Sequence, residues 1–321
     1  RTWWRSGRRG GTVQALLPAA DAAHAGRLLA RHAGTAVVDC AACGFAHLDP
    51  LPDAASLRET YRRHYYDAVK PDYLARESSE QGFWQLEYDD KLDAIAALRG
   101  GRRGRLLDVG CSGGFFLAHA RRRGWDGLGL EPSAQAAAHA RDLGVPVIEA
   151  FFEDADWAGL GRFAAVHLKL VLEHLADPAA LLRRAREVLL PDGVLCLQVP
   201  NDFNALQAVV QETLAAPPWW VAPPYHVNYF DFASLGRLCA RTGFAVREQS
   251  TNFPMELFLL MGEHYVGDDR VGRACHQRRM ALDARLAAAG RNDLRRAAYA
   301  ALAAAGLGRE VIVWAQPMES A

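Results

Sequence analysis

The chain has 321 residues, and its 37 Lys plus Arg exactly offset 37 Asp plus Glu. Zero net charge argues against a nucleic-acid clamp, which carries a basic excess. No run of ~18 apolar residues occurs, so neither a membrane span nor membrane association is expected. The charged N-terminus, from Arg1 through Trp3, Trp4, Arg8 and Arg9, has no apolar core behind it, so no signal peptide is expected and cytoplasmic residence is the default.

The six cysteines are scattered apart from one C-x-x-C, which is no disulfide framework. Only Lys70, Lys91 and Lys169 are lysines, and Ala is abundant, which matches the coding bias of a high-GC bacterial genome.

Residues 1–35 read as helical. Cys40-Ala-Ala-Cys43-Gly44 opens a loop-rich module that ends at Pro50 and Pro52. Residues 53–99 read as helices rich in aromatics, including Tyr61, Tyr65, Tyr66, Tyr73, Phe83, Trp84 and Tyr88. Gly100, Gly101 and Gly104 mark a boundary. Strands then alternate with helices. Strands are expected at 105–109, 127–130, 145–148, 163–168 and 194–199. Between them lie helices at 115–123, 133–143 with Ser133 as N-cap, and 178–190 with Asp177 as N-cap and Pro178 in the first turn. Such alternation implies an α/β fold with a seven-stranded, mostly parallel sheet covered on both faces. Residues 201–230 read as an aromatic loop, 232–242 as a helix, 244–248 as a strand, 268–305 as helices and 310–315 as a last strand antiparallel to the preceding one. The expected organisation is an N-terminal segment over 1–99, a main domain over 100–321, and insertions at 201–230 and 254–305.

The most informative stretch is Leu106-Leu-Asp108-Val-Gly110-Cys111-Ser112-Gly113-Gly114. It is a strand followed by a glycine turn and a helix start. In open parallel sheets, ligands bind at the carboxyl ends of the strands. The spacing is G-x-x-G-G, not the G-x-G-x-x-G of a dinucleotide pyrophosphate site. Asp108, immediately before the turn, would repel a pyrophosphate but suit an ammonium group. Glu131, 23 residues on, stands where an acid accepts ribose hydroxyls. A ligand with a ribose, an amino-acid portion and no phosphate is S-adenosylmethionine.

At this point the chain resembles the class I S-adenosylmethionine-dependent methyltransferases over residues 100–250. Further segments match in order: Phe152-Glu153-Asp154, Val171-Leu172-Glu173-His174-Leu175 with Asp177-Pro178, Leu190-Pro191-Asp192-Gly193, Val199-Pro200-Asn201, and His226 with Phe230, Leu235 and Gly243-Phe244. The resemblance implies a Rossmann-like fold with S-adenosylmethionine as cofactor and S-adenosylhomocysteine as product. It places Asp108 and the backbone of Gly110, Cys111 and Gly113 at the methionyl amine. Glu131, with Pro132 after it, falls at the ribose, Phe152 and Glu153 at the adenine, and Lys169 and Leu170 along the methionyl chain. Ser112, Ala164 and Lys169 depart from the family pattern, and the sequence gives no physical account of Lys169.

The C-x-x-C region is similar to the N-terminus of bacterial sugar and natural-product methyltransferases that carry a small zinc ribbon. Only one cysteine pair is present, half of a tetrahedral set. His24, His32 and His47 could complete it, but no spacing recommends them, so no metal is expected. The expected acceptor is an oxygen or carbon of a small molecule, a sugar or secondary metabolite. His226 is favoured as base, and His174 orients the acceptor. The acceptor site is expected among Tyr65, Tyr66, Tyr73, Trp219, Trp220, Tyr225 and Tyr229, with the aromatic N-terminal helices as a lid. A homodimer is compatible with this reading. A nicotinamide-dependent oxidoreductase and a non-catalytic S-adenosylmethionine-binding protein are the alternatives.

Overall fold

The computed structural model describes residues 24–32, 34–53, 55–58 and 73–319. The N-terminal part differs from the helical expectation. Gly26–His32 (β1), Thr35–Cys40 (β2) and Ala46–Asp49 (β3) form an antiparallel sheet. Val37, Val38 and Leu48 are buried in it, and β-branched residues such as valine favour a strand over a helix. Tyr61, Tyr65 and Tyr66 lie outside the described residues.

Two helices follow, Tyr73–Ser79 (α1) and Gln81–Leu98 (α2). The main sheet is then built from Arg105–Val109 (β4), Asp126–Leu130 (β5), Val147–Ile148 (β6), Phe163–Lys169 (β7) and Leu189–Pro200 (β8). Between them run Phe115–Arg122 (α3), Ala134–Asp142 (α4) and Pro178–Val188 (α5). Ala205–Leu214 (α6) is a helix inside the segment read as loop. Asn204 and Gln207 close a capping box at its start, a local signal that the aromatic character of the segment obscures. Asn228–Tyr229 (β9), Phe232–Arg241 (α7) and Phe244–Ser250 (β10) come next. Glu256–Leu260 (α8), Asp269–Ala288 (α9), Asn292–Ala304 (α10) and Glu310–Pro317 (β11) complete the chain.

The seven-stranded sheet has the order β10-β11-β8-β7-β4-β5-β6. Strands β4 to β8 pair in parallel, and β11 lies antiparallel between β8 and β10. The final strand therefore inserts where the sequence places it beside the sixth. From β4 the chain moves outward to β5 and β6, then crosses back to β7 on the other side. That reversal opens a crevice at the carboxyl ends of the strands.

The central strands are apolar runs because both faces are covered. On β4, Leu107 and Val109 join the core under α5 and α7, while Leu106 joins the core under α2 and α3. Ser133, Asp177 and Asp231 cap their helices through backbone N–H groups, each such cap being worth ~1 kcal/mol.

Strand β9 belongs to the small sheet, not the large one. It pairs Tyr229 with Ala46 and Asn228 with His47. Among the described residues no helix is long and apolar enough to cross a membrane.

Candidate cofactor cleft and active site

A cleft of about 150 Å³ opens where the strand order reverses. Gly110 after β4, Glu131 and Pro132 after β5, Phe152 and Glu153 after β6, and Leu170 and His174 after β7 line it. The fold brings these seven residues, from four separate stretches of sequence, to one cleft.

The glycine turn is held by backbone geometry. Gly110 has φ +73°, and a Cβ there would stand 2.8 Å from Val171 Cγ2, so the position takes glycine on two counts. Its N–H donates to the Leu130 carbonyl at 2.7 Å. Glu131 then ties the turn to the next helix: Oε2 accepts from the Ser112 N–H and Oε1 from the Ser133 N–H, both at 2.9 Å. Burial pushes the Glu131 carboxyl up to about 7, against the pull of those two donors.

Four expected cofactor residues do not line the cleft. Asp108 alternates to the opposite face from Val109, because successive side chains of a strand point to opposite sides. Its cross-strand neighbour is His167, whose Nδ1–H donates to Asp108 Oδ1 at 2.7 Å. Lys169, two residues along β7 from His167, emerges on the same face. There Glu87 Oε1 lies 3.1 Å from Lys169 Nζ and 3.2 Å from Lys91 Nζ. The Lys91 ammonium also lies 3.2 Å from His167 Nε2. An ammonium can only donate, so His167 is neutral with its proton on Nδ1. Burial lowers the imidazole pKa, in keeping with that state. The Lys169 ammonium also stands 4.0 Å from the Trp84 ring centre. Lys169 is thus an anchor between β7 and α2, which answers the question its sequence position raises. Cys111 packs against Gly129, where any Cβ would meet its Sγ, and burial holds its thiol well above the usual range. Gly113 is covered by Leu74 of α1, since a Cβ there would lie 2.5 Å from Leu74 Cδ2.

On the other wall, His174 sits on a single helical turn, Leu172–His174. Its Nδ1 lies 2.8 Å from the Tyr225 carbonyl. A carbonyl only accepts, so Nδ1 carries the proton and Nε2 is the basic atom. Glu173 Oε1 lies 3.7 Å from Nε2. The His226 ring meets that of His174 edge-on, with centres 5.1 Å apart. His226 does not line the cleft; it backs the residue that does.

Of the expected acceptor residues, Tyr225 supplies the carbonyl just described. Trp220 and Tyr229 are core of the small sheet with Val37, Leu48 and Val227, and Trp219 packs against that core. Their aromatic character reflects packing of the loop on the small sheet. Tyr73 opens α1. Arg58 and Phe151 line the cleft without having been singled out by the sequence, and Val171 of the matching segment lines it too. Arg58 pairs with Asp154 and stands 4.4 Å from the Phe151 ring centre. Asp154 is 96 residues away along the chain, so no local pattern could have revealed the pair. The sequence also separates His24, Cys40, Cys43 and His47, which the fold gathers into one cluster.

Comparison with known proteins gives the following. A family model described as a methyltransferase domain matches residues 81–249, just over half of the chain. The ubiquinone biosynthesis O-methyltransferase of Sodalis glossinidius is 29% identical over 168 residues, covering 47% of this chain and 68% of that protein. The enzymes of the same name from Azorhizobium caulinodans and Cereibacter sphaeroides are 35% and 31% identical; the matches cover 30% and 43% of this chain, and 40% and 54% of those proteins. This chain thus spans about half the length of these last two. The plantazolicin methyltransferase BpumL in complex with SAH is a solved structure of 13% identity and TM-score 0.49, with 82% of this chain and 94% of that one covered.

Proposed function

Because the chain belongs to the methyltransferase-domain family, whose cofactor is S-adenosylmethionine, we propose that it methylates a hydroxyl oxygen of a small molecule, such as a sugar or secondary metabolite, and that His174 removes the hydroxyl proton. The observation that carries the reading is the His174 imidazole on the cleft wall, with Nδ1 committed to the Tyr225 carbonyl and Nε2 as its basic atom. The relatives named as O-methyltransferases support oxygen as the acceptor atom.

The cleft fits the cofactor. Glu131 would accept the ribose hydroxyls, Phe152 and Glu153 would face the adenine, and the backbone at Gly110 and Leu170 would run along the methionyl portion. Leu170 has φ +56°, an uncommon conformation for a side-chain-bearing residue and one that occurs at ligand sites. The bound cofactor supplies an activated methyl group, so the protein's work is to position the acceptor and take its proton. His174 Nε2 takes that proton, and the Glu173 carboxylate stabilises the resulting imidazolium. His226, edge-on to His174, fixes the ring plane.

The test is transfer of labelled methyl from S-adenosylmethionine to a panel of catechols, phenols, sugar hydroxyls and activated-carbon acceptors. Label in a base-stable methyl ether is the expected result. Label only in a carbon–methyl product would overturn the oxygen assignment. Cofactor binding without transfer to any class would favour a non-catalytic binding protein.

A further inference from the structure

The small sheet holds four metal-ligating side chains with no part in the cleft. Cys40 ends β2, Cys43 lies in the turn after it, His47 is on β3, and His24 stands just before β1. One ligand atom from each lies within 4.8 Å of all the others. His24 Nδ1 is 3.3 Å from Cys43 Sγ and 3.8 Å from Cys40 Sγ. A tetrahedron built on Zn–S bonds of ~2.3 Å and Zn–N bonds of ~2.0 Å has edges of about 3.5 Å, so these spacings leave room for one ion at the centre. We infer that His24, Cys40, Cys43 and His47 form a closed structural zinc site.

Two independent features point to an ion. His47 is 1% exposed, and its Nδ1–H donates to the Leu48 carbonyl at 2.8 Å. Its Nε2 is buried and has no hydrogen-bond partner among the described residues. A bare imidazole nitrogen buried among two sulfurs and a second histidine costs stability unless something binds it. The carbonyl on the far nitrogen is also the usual outer partner of a metal-bound histidine. The cysteine turn is the second feature. The Cys43 N–H donates to Cys40 Sγ at 3.3 Å and the Gly44 N–H to the Cys40 carbonyl at 2.8 Å, with Gly44 at φ +71°. Both sulfurs are thereby aimed to one side while the backbone curls around them. Six cysteines are free, yet only these two lie in a metal-ligating group among the described residues.

Soft thiolates with imidazoles in a tetrahedral set select zinc over magnesium or calcium. Four protein ligands leave no open position, so the ion is structural and takes no part in chemistry. It closes the sheet that carries β9: His47 pairs with Asn228, and Asn228 Nδ2 donates to the Leu172 and Leu175 carbonyls on either side of His174. Arg237 and Arg241 of α7 hold the turn from outside, donating to the Gly44 and Ala42 carbonyls.

The experiment is elemental analysis of the purified full chain, with cobalt reconstitution. About one zinc per chain is expected. Cys40→Ser with Cys43→Ser should lose it, and His32→Ala, an exposed histidine of β1 outside the cluster, should keep it. Cobalt replacing zinc in the wild type should give the ligand-field bands of a tetrahedral ion and a thiolate charge-transfer band. Loss of folding in the double variant would leave the wild-type stoichiometry and cobalt spectrum as the deciding readouts. Metal below about a tenth of an equivalent in chain purified without chelator and then offered zinc, or an octahedral cobalt spectrum without thiolate bands, would overturn the assignment.

Discussion

Glu131 shows how one residue joins stability to binding. Its carboxyl is 3% exposed and titrates near 7 because burial disfavours the charge. The folded pKa is raised above the unfolded one, so the folded state binds more protons between the two. The resulting stability is fully present below ~4.5 and lost as pH rises through about 7. At ~1.36 kcal/mol per unit this is roughly 3 kcal/mol across that window. Ribose hydroxyls, by contrast, are best accepted by the ionised form. Without cofactor, the wild type should lose stability from pH 5 to pH 7.5, while Glu131→Gln should show a flatter profile in denaturant titrations. Calorimetry should show wild-type affinity for S-adenosylhomocysteine rising over the same range, and Glu131→Gln binding at least ten-fold weaker, ~1.4 kcal/mol. Parallel pH profiles for the two proteins would contradict the role. The position of Glu131 was legible because a strand, a glycine turn and an acid about 20 residues on form a local pattern. Its raised pKa was not legible, since it depends on how the turn at Ser112 closes over it.

At the scale of elements, the packing of α2 on the sheet is electrostatic as well as apolar. Tyr88, Leu92 and Ile95 bury against β4 and β7, but Glu87 and Lys91 sit one helical turn apart and meet His167 and Lys169. Two carboxylates, Asp108 and Glu87, balance two ammonium groups, with neutral His167 between them. Burial opposes ionisation of Glu87, yet Lys169 and Lys91 outweigh it and hold the carboxyl well below its usual range. Glu87→Gln would remove the carboxylate that both the Lys91 and Lys169 ammonium groups contact. It should cost ~3–5 kcal/mol in chemical denaturation, the usual penalty for breaking a buried pair; a cost under about 1 kcal/mol, as for surface pairs, would show that the network carries little. The sequence revealed the strands and most helices because their periodicity and caps are local. It misread residues 24–32 because a short hairpin of mixed burial has no strong period. It left Lys169 unexplained because the partner lies 82 residues earlier in the chain, on a helix read only as aromatic-rich.

Among the described residues, the 219–228 loop is one of the links between the small sheet and the large one, beside the contacts of α7 with the Ala42–Gly44 turn. Trp220, Val227 and Tyr229 fill the small sheet's core, while Tyr225 and Asn228 hold the turn that presents His174. The aromatic segment read as an acceptor wall is therefore the strut that positions that wall, and its aromatics serve packing. From sequence alone the two roles look identical, because each asks for Trp and Tyr in a loop beside the strand ends. In the proposed reaction His174 Nε2 takes the acceptor proton, in a cleft whose cofactor contacts lie elsewhere. The most direct measurement compares turnover and S-adenosylhomocysteine affinity in wild type and His174→Ala, using the best hydroxyl acceptor from the panel. Turnover should fall ~10²–10⁴-fold, the range for loss of a general base, with cofactor affinity within about two-fold of wild type, ~0.4 kcal/mol. Turnover at the wild-type rate, or a matching collapse of cofactor affinity, would contradict it.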